Sequence, residues 1–77
     1  MKYIVLADNT PVVFPETSSH NFVAGDRMVI AAGFCRIETR RNEYDDIRAT
    51  VSVWGNSHTL KVQSRPEDAE LIASMFR

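Results

Sequence analysis

The amino-acid sequence predicts an α+β domain, in which a mostly antiparallel β-sheet of five to six strands carries one C-terminal α-helix packed on one face. Residues 47–54 alternate between apolar and polar side chains, which is the period of a half-buried strand. Ser64 and Glu67 have the spacing of a capping box, and helix-spaced apolar residues follow them. Because 77 residues provide for only one core, we expect a single small domain over residues 1–77.

The N-terminal segment predicts a hairpin. Residues 2–6 are rich in β-branched and aromatic types, which favour a strand. Asp8 and Asn9 tolerate the backbone of a tight turn, and residues 12–14 provide a short partner strand. Prolines stand on both sides of that partner strand, so we expect it at a sheet edge.

Residues 16–27 leave two alternatives open. Ser18 or Ser19 can cap a one-turn helix over residues 20–24, with Gly25 as its terminator. A plain loop fits the same residues equally well.

The middle of the chain predicts a long hairpin. Residues 28–32 form an apolar run of strand length, and residues 34–39 alternate. Gly33 between them is expected to bend or bulge the strand. The polar residues 40–46 then form the loop that leads into the alternating strand 47–54.

The last third predicts a turn, a strand and a helix. Turn-forming residues at 55–57 lead into a strand over 59–63, with Leu60 and Val62 inward. The helix is predicted over residues 65–76, with acidic residues in its first turns, where the helix dipole favours them. The apolar residues on its sheet-facing arc are Leu71, Ile72, Met75 and Phe76.

Charge and composition limit the binding partners and the cellular compartment that we expect. The net charge is −1, so no general attraction to nucleic acid is expected. The single cysteine excludes an internal disulfide and favours a reducing compartment. No stretch approaches the roughly 20 apolar residues that span a bilayer. We therefore expect a cytoplasmic protein without a membrane partner.

Several short segments of the chain are similar in sequence to segments of other proteins. They are residues 11–15 (PVVFP), 31–36 (AAGFCR), 53–55 (VWG) and 64–69 (SRPEDA). Together they resemble segments of small proteins encoded by bacteriophages and prophages, which belong to no characterised family. The resemblance implies a bacterial or phage-infected cytoplasm and a role in the contest between phage and host. It transfers no catalytic residue.

The chain offers no clear metal or catalytic constellation. His20, His58 and Cys35 are chemically capable ligands, but they come singly from distant segments and lack the paired spacing of a zinc site. We expect two surface histidines and a buried thiol, because Cys35 alternates with Ile37 on the predicted core side. The acidic residues near 43–46 fit a solvated loop. No enzyme activity, metal or cofactor is therefore predicted.

The strongest functional candidate is a surface that combines arginine with aromatic residues. Its members are Arg36, Arg40, Arg41, Tyr44, Arg48 and Trp54. Such residues are enriched at protein–protein hot spots and also hold single-stranded nucleic acid. The alternative is that Arg36, Glu38 and Arg48 only form cross-strand surface ion pairs.

The sequence thus favours a small non-enzymatic module that binds a protein. An inhibitor of a host defence or regulatory protein, such as an anti-CRISPR, suits its size and its resemblance. A nucleic-acid-binding regulator is the alternative. It is less favoured than a protein-binding module, because acidic residues are interleaved with the arginines and would repel a polyanion. Self-pairing through an edge strand, which gives a homodimer, is a companion expectation.

Overall fold

The structure is a computed structural model that describes residues 1–76. It contains β1 (Lys2–Leu6), β2 (Pro11–Phe14), α1 (His20–Ala24), β3 (Val29–Arg41), β4 (Ile47–Trp54), β5 (Asn56–Ser57), β6 (Val62–Gln63), α2 (Pro66–Ala73) and a 3₁₀ turn (Ser74–Phe76). The α+β class is confirmed. The strands do not form one sheet of five or six: four form an antiparallel sheet in the order β2-β1-β3-β4, and β5 and β6 form a separate ribbon. Neither helix is long and apolar enough to cross a membrane.

The N-terminal hairpin is confirmed, with β2 at one edge of the sheet. Asp8 Oδ1 accepts a hydrogen bond from the Thr10 N–H at 3.1 Å, and Asn9 has a positive φ of 67°. These two features make the predicted tight turn between β1 and β2.

Strand β3 is one continuous strand of 13 residues that serves two partners. Its first part pairs with β1 and its second part with β4, and the two pairings meet at Phe34. The register shows no bulge at Gly33; the register shift lies at Val5 and Leu6 instead. A Cβ at Gly33 would lie 2.5 Å from the Trp54 carbonyl oxygen, so glycine is required by close backbone approach.

The core lies on both faces of the sheet. On the face that α2 covers, which we call the α2 face, it is built from Tyr3, Val5, Ala31, Cys35 and Ile72. On the opposite face, which we call the α1 face, it is built from Ile4, Phe14, Ala24 and Ala32. Leu60 and Val62 are half-buried against this second cluster. The prediction that Cys35 is a core thiol is confirmed.

Helix α1 forms, and it buries a histidine. Ser19 Oγ accepts from the Phe22 N–H at 3.3 Å, and Gly25 ends the helix with a φ of 59°. His20 is only 7% exposed and its Nε2 lies 2.9 Å from the Gly33 carbonyl oxygen. The expectation of two surface histidines is therefore wrong for His20, whose ring the helix turns toward the sheet.

Helix α2 begins one residue later than its sequence indicates. Arg65 is the N-cap, and its backbone N–H donates to Asp68 Oδ2 at 2.8 Å, in place of the predicted pair Ser64 and Glu67. The reason is tertiary: Asp68 is fully buried and also accepts from Tyr3 Oη at 2.6 Å. Burial and this carboxylate raise the pKa of Tyr3.

The C-terminal end of α2 departs from the predicted apolar arc. Ile72 is fully buried and Leu71 is half-buried. Met75 and Phe76, however, are 52% and 37% exposed. The α-helix ends at Ala73 and tightens into a 3₁₀ turn, so the two last apolar residues lose the helical spacing that would have aimed them at the sheet.

Candidate functional site

The hairpin of β3 and β4 projects beyond the rest of the sheet. We call residues 35–53 the arm; they contribute to a molecule that measures 43 × 25 × 19 Å. The neighbouring elements β1 and β2 end their pairing at the base of the arm. The arm therefore keeps one face, the continuation of the α1 face, open to solvent.

Strand alternation and register place a row of polar residues on this open face. They are exposed in the structure and form what we call the basic face: Arg36, Glu38, Arg40, Arg48, Thr50 and Ser52, with Trp54 at its base. The predicted outward positions of Arg36 and Arg48, and the shared face of Arg48 and Trp54, agree with this register.

The decisive feature of the basic face is a like-charged pair. Arg40 lies directly opposite Arg48 in the β3–β4 register. Within residues 1–76, neither guanidinium makes a hydrogen bond or an ion pair. Like charges directly opposite each other destabilise a sheet, and no ion pair within residues 1–76 offsets this repulsion.

Arg36 behaves differently from that pair. Its Nε lies 2.9 Å from Glu38 Oε1 on the same strand, and both side chains are largely exposed. An exposed ion pair of this kind contributes little to stability. The cross-strand pairing considered for Arg36, Glu38 and Arg48 is thus replaced by a pair along one strand, which leaves Arg48 outside it.

Aromatic rings hold the base of the basic face. Trp54 is 50% exposed and stacks on Phe34, with ring centroids 6.3 Å apart. Phe34 and His20 form a T-shaped pair with ring centroids 5.9 Å apart, and Lys2 Nζ lies 6.0 Å from the Phe34 ring centroid. These contacts fix Trp54 from the β3 side and present the remainder of its indole to solvent.

Two of the predicted residues lie away from this face. Arg41 pairs with Ile47 in the register, and alternation places it on the α2 face. Tyr44 is 78% exposed at the tip of the loop. Asn42 orders this loop, because its Oδ1 accepts from the N–H groups of Tyr44 and Asp46 at 2.9 and 3.0 Å.

The structure brings two of the three candidate metal and catalytic residues to one groove and leaves the third on the other face of the sheet. His20 and His58 line one groove of about 410 Å³ on the α1 face. Cys35 lies on the other face, 1% exposed, and burial raises the pKa of its thiol. Across residues 1–76, no three side chains of His, Cys, Asp or Glu converge on a point.

A second groove, which sequence reasoning missed, lies on the α2 face of the arm. It has a volume of about 540 Å³ and is lined by Asp46, Ile47, Arg48, Ala49, Ala73 and Phe76. The alternation of residues 47–54 puts Ile47 on the apolar face of its strand, and the helical pattern puts Phe76 on the sheet-facing arc. The position of Ile47 beside the charged loop was the one available signal that its environment would be open.

Comparison of the chain with protein-family models, curated proteins and solved structures finds no match. The geometry of the arm therefore carries the functional argument.

Proposed function

We propose that the protein is a non-enzymatic interaction module that binds a protein partner through the basic face of its arm. The observation that carries the proposal is the facing pair of Arg40 and Arg48, neither of which makes an ion pair or a hydrogen bond within residues 1–76. A partner that supplies carboxylates to this pair removes the repulsion and gains bidentate contacts that arginine is suited to make.

The surroundings of this pair favour a protein over a polyanion. The loop at the tip of the arm carries exposed Glu43, Asp45 and Asp46, and Glu38 lies between the arginines of β3. A partner must therefore present both signs of charge at matched positions, which is the pattern of protein–protein complementarity. Trp54, half-exposed and held by Phe34, supplies the rigid aromatic anchor typical of a hot spot.

The biological setting of the proposal follows from the resemblance to phage and prophage proteins. On that basis we propose that the module acts in a bacterial or phage-infected cytoplasm, as an inhibitor of a host defence or regulatory protein, of which an anti-CRISPR is one type. Blocking a partner's surface needs a shaped and charged face rather than catalytic groups, and the arm offers such a face.

The second candidate is a regulator that binds single-stranded nucleic acid. The observation that favours it is the row of Arg36, Arg40 and Arg48 ending on a stackable Trp54. It predicts salt-dependent binding and quenching of Trp54 fluorescence, the only tryptophan in the chain, when a single-stranded oligonucleotide is titrated. A flat titration at low salt excludes it.

The test of the leading proposal is capture of proteins from a bacterial lysate by the intact chain, with nuclease treatment and mass-spectrometric identification. Arg40→Glu is compared with Arg41→Glu, which makes the same charge change one residue away on the opposite face. We expect the captured protein to be retained by the Arg41→Glu variant and not by the Arg40→Glu and Trp54→Ala variants. Equal retention by Arg40→Glu and Arg41→Glu would exclude the basic face as the binding site.

A further inference from the structure

The two edges of the four-stranded sheet differ in how they are protected. Edge strand β2 has four residues, begins with Pro11 and is followed by Pro15. Edge strand β4 has eight residues without proline, and Arg48 is its one charged residue. Natural proteins blunt exposed edges with short strands, prolines, bulges or charges, because an open edge is a template for pairing. Its short length and its prolines protect the β2 edge from pairing with another chain, whereas the longer β4 edge has no proline.

The register shows which backbone groups of β4 are free. The Cys35 N–H donates to the Met1 carbonyl oxygen at 2.8 Å, so it points away from β4. The pair of Cys35 and Val53 is therefore a non-hydrogen-bonded pair, and the backbone groups of Val53 point away from β3. By alternation, Ile47, Ala49 and Val51 also direct their N–H and C=O groups to the open edge.

The loop end of the arm gives the same result independently. The Asn42 N–H donates to the Asp46 carbonyl oxygen at 3.0 Å. Counting from this bonded pair, the opposed residues Arg40 and Arg48 form a hydrogen-bonded pair, and Arg41 and Ile47 do not. Within the part of the chain that the structure describes, no backbone partner outside the sheet is recorded for β4.

We infer that the β4 edge pairs antiparallel with the β4 edge of a second copy of this chain, about a two-fold axis at Val51. In this register Val51 exchanges two N–H···O bonds with Val51 of the second copy. Ala49 does the same with Val53 of the second copy, and the symmetric pair repeats this. All of these residues have the outward-pointing backbone groups that such bonds require.

Contacts between side chains favour this register over registers in which the axis lies at another residue of β4. With the axis at Val51, Arg48 lies opposite Trp54 of the second copy on the basic face, at cation–π range of an indole that Phe34 covers only from the β3 side. Moving the axis toward the loop brings the two copies of Arg48 together and loses both contacts. On the α2 face the half-buried Val51 meets Val51 of the second copy, and each Val53 lies opposite Ala49, so the apolar cluster of this face continues across the interface.

The inferred dimer joins two four-stranded sheets into one and places the two basic faces side by side. It does not depend on the proposed function, because the free protein alone is sufficient to form it. A failure of self-association therefore leaves the partner-binding proposal standing, and the reverse also holds.

The test is sedimentation velocity of the intact chain over a wide range of concentrations, with Val51→Pro as the first variant. The proline removes an N–H that points to the open edge and does not bond to β3, so the fold is kept, which circular dichroism checks. We expect a dimer that this variant converts to a monomer, and a dissociation constant raised about tenfold by Trp54→Ala. A chain that stays monomeric at every concentration overturns the inference.

Disulfide trapping tests the register and does not depend on the proline variant. Paired residues that exchange hydrogen bonds have Cα atoms about 5.5 Å apart, within disulfide range, so Val51→Cys should give a covalent dimer on mild oxidation. Ala49→Cys is the matched control, because its two copies lie roughly four residues apart along the strands. The buried native Cys35 does not compete. Equal cross-linking of both variants overturns the assigned register.

Discussion

The arm and the rest of the four-stranded sheet, which we call the base (β1, β2 and residues 29–34 of β3), share the strand β3 but differ in what covers them. In the base, α2 lies on one face and α1 on the other, and Tyr3, Ile4 and Val5 are fully buried. In the arm only the α2 face is packed, and Ile37 and Val51 there are half-buried. The comparison indicates that stability resides in the base, and it leaves the open face of the arm as the surface through which we propose that a partner binds.

The local pattern of side chains accounts for this difference in covering between the base and the arm. Strand β1 is apolar at consecutive positions, as a strand covered on both faces must be. The arm alternates apolar and polar residues, as a strand with one solvated face does. A cluster of buried apolar residues can tolerate few changes, whereas exposed positions exchange at small cost.

The largest effect on the free energy of unfolding is expected for a substitution in the core between α2 and the base. Asp68→Ala removes a fully buried carboxylate that accepts from Tyr3 Oη and from the Arg65 backbone N–H and side chain. The variant leaves a buried hydroxyl and a guanidinium without their partner, and we expect the free energy of unfolding to fall by about 3–5 kcal/mol. Urea unfolding measures it. Glu67→Ala, at an exposed neighbour on the same helix, should change it by less than about 0.5 kcal/mol.

A matched pair of substitutions compares the two regions directly. Ile4→Ala in the base should cost about 2–5 kcal/mol, because the residue is fully buried and leaves a cavity. Ile47→Ala in the arm should cost less than about 1 kcal/mol, because that side chain is 51% exposed. Urea midpoints of the two variants give the result. Equal losses would mean that the arm is as tightly packed as the base.

Alkaline pH should weaken the core on the α2 face, at Tyr3 in the base and at Cys35 where the arm begins. Burial raises the pKa of Cys35, and burial together with Asp68 raises the pKa of Tyr3. In each case the unfolded chain loses its proton first, so the stabilisation is complete below the unfolded pKa and is lost as pH rises above it. The loss begins near about pH 8.5 for the thiol and about pH 10 for the phenol.

The slope of this loss can be assigned to one residue. We expect the free energy of unfolding to fall by up to about 1.4 kcal/mol per pH unit for each group. Urea unfolding of Cys35→Ala between about pH 8.5 and 10 should show a shallower slope than the unmodified chain. Identical slopes in both proteins would contradict a buried neutral thiol.

The sequence predicted the arm better than the base. Alternation over residues 34–39 and 47–54 gave its strands and the outward positions of Arg36, Arg48 and Trp54, because a period of two depends only on local pattern. The shift of the α2 cap to Arg65 and the burial of His20 were missed. Both depend on partners distant in the chain, Tyr3 for Asp68 and the Gly33 carbonyl for His20. The facing of Arg40 and Arg48 needed the exact loop register, which composition does not specify.

The smallest expected effect sharpens the comparison most, because stability and binding should move in opposite directions. Arg40→Glu replaces a like-charged cross-strand pair with an opposite-charged one facing Arg48. We expect the free energy of unfolding to rise by about 0.2–1 kcal/mol. The same variant should lose the captured partner, since the counter-charge is now supplied within the chain. Urea unfolding and lysate capture measure the two quantities, and Arg41→Glu provides the control for charge alone. A variant that is both less stable and unchanged in capture would show that the facing arginines serve the fold and not a partner.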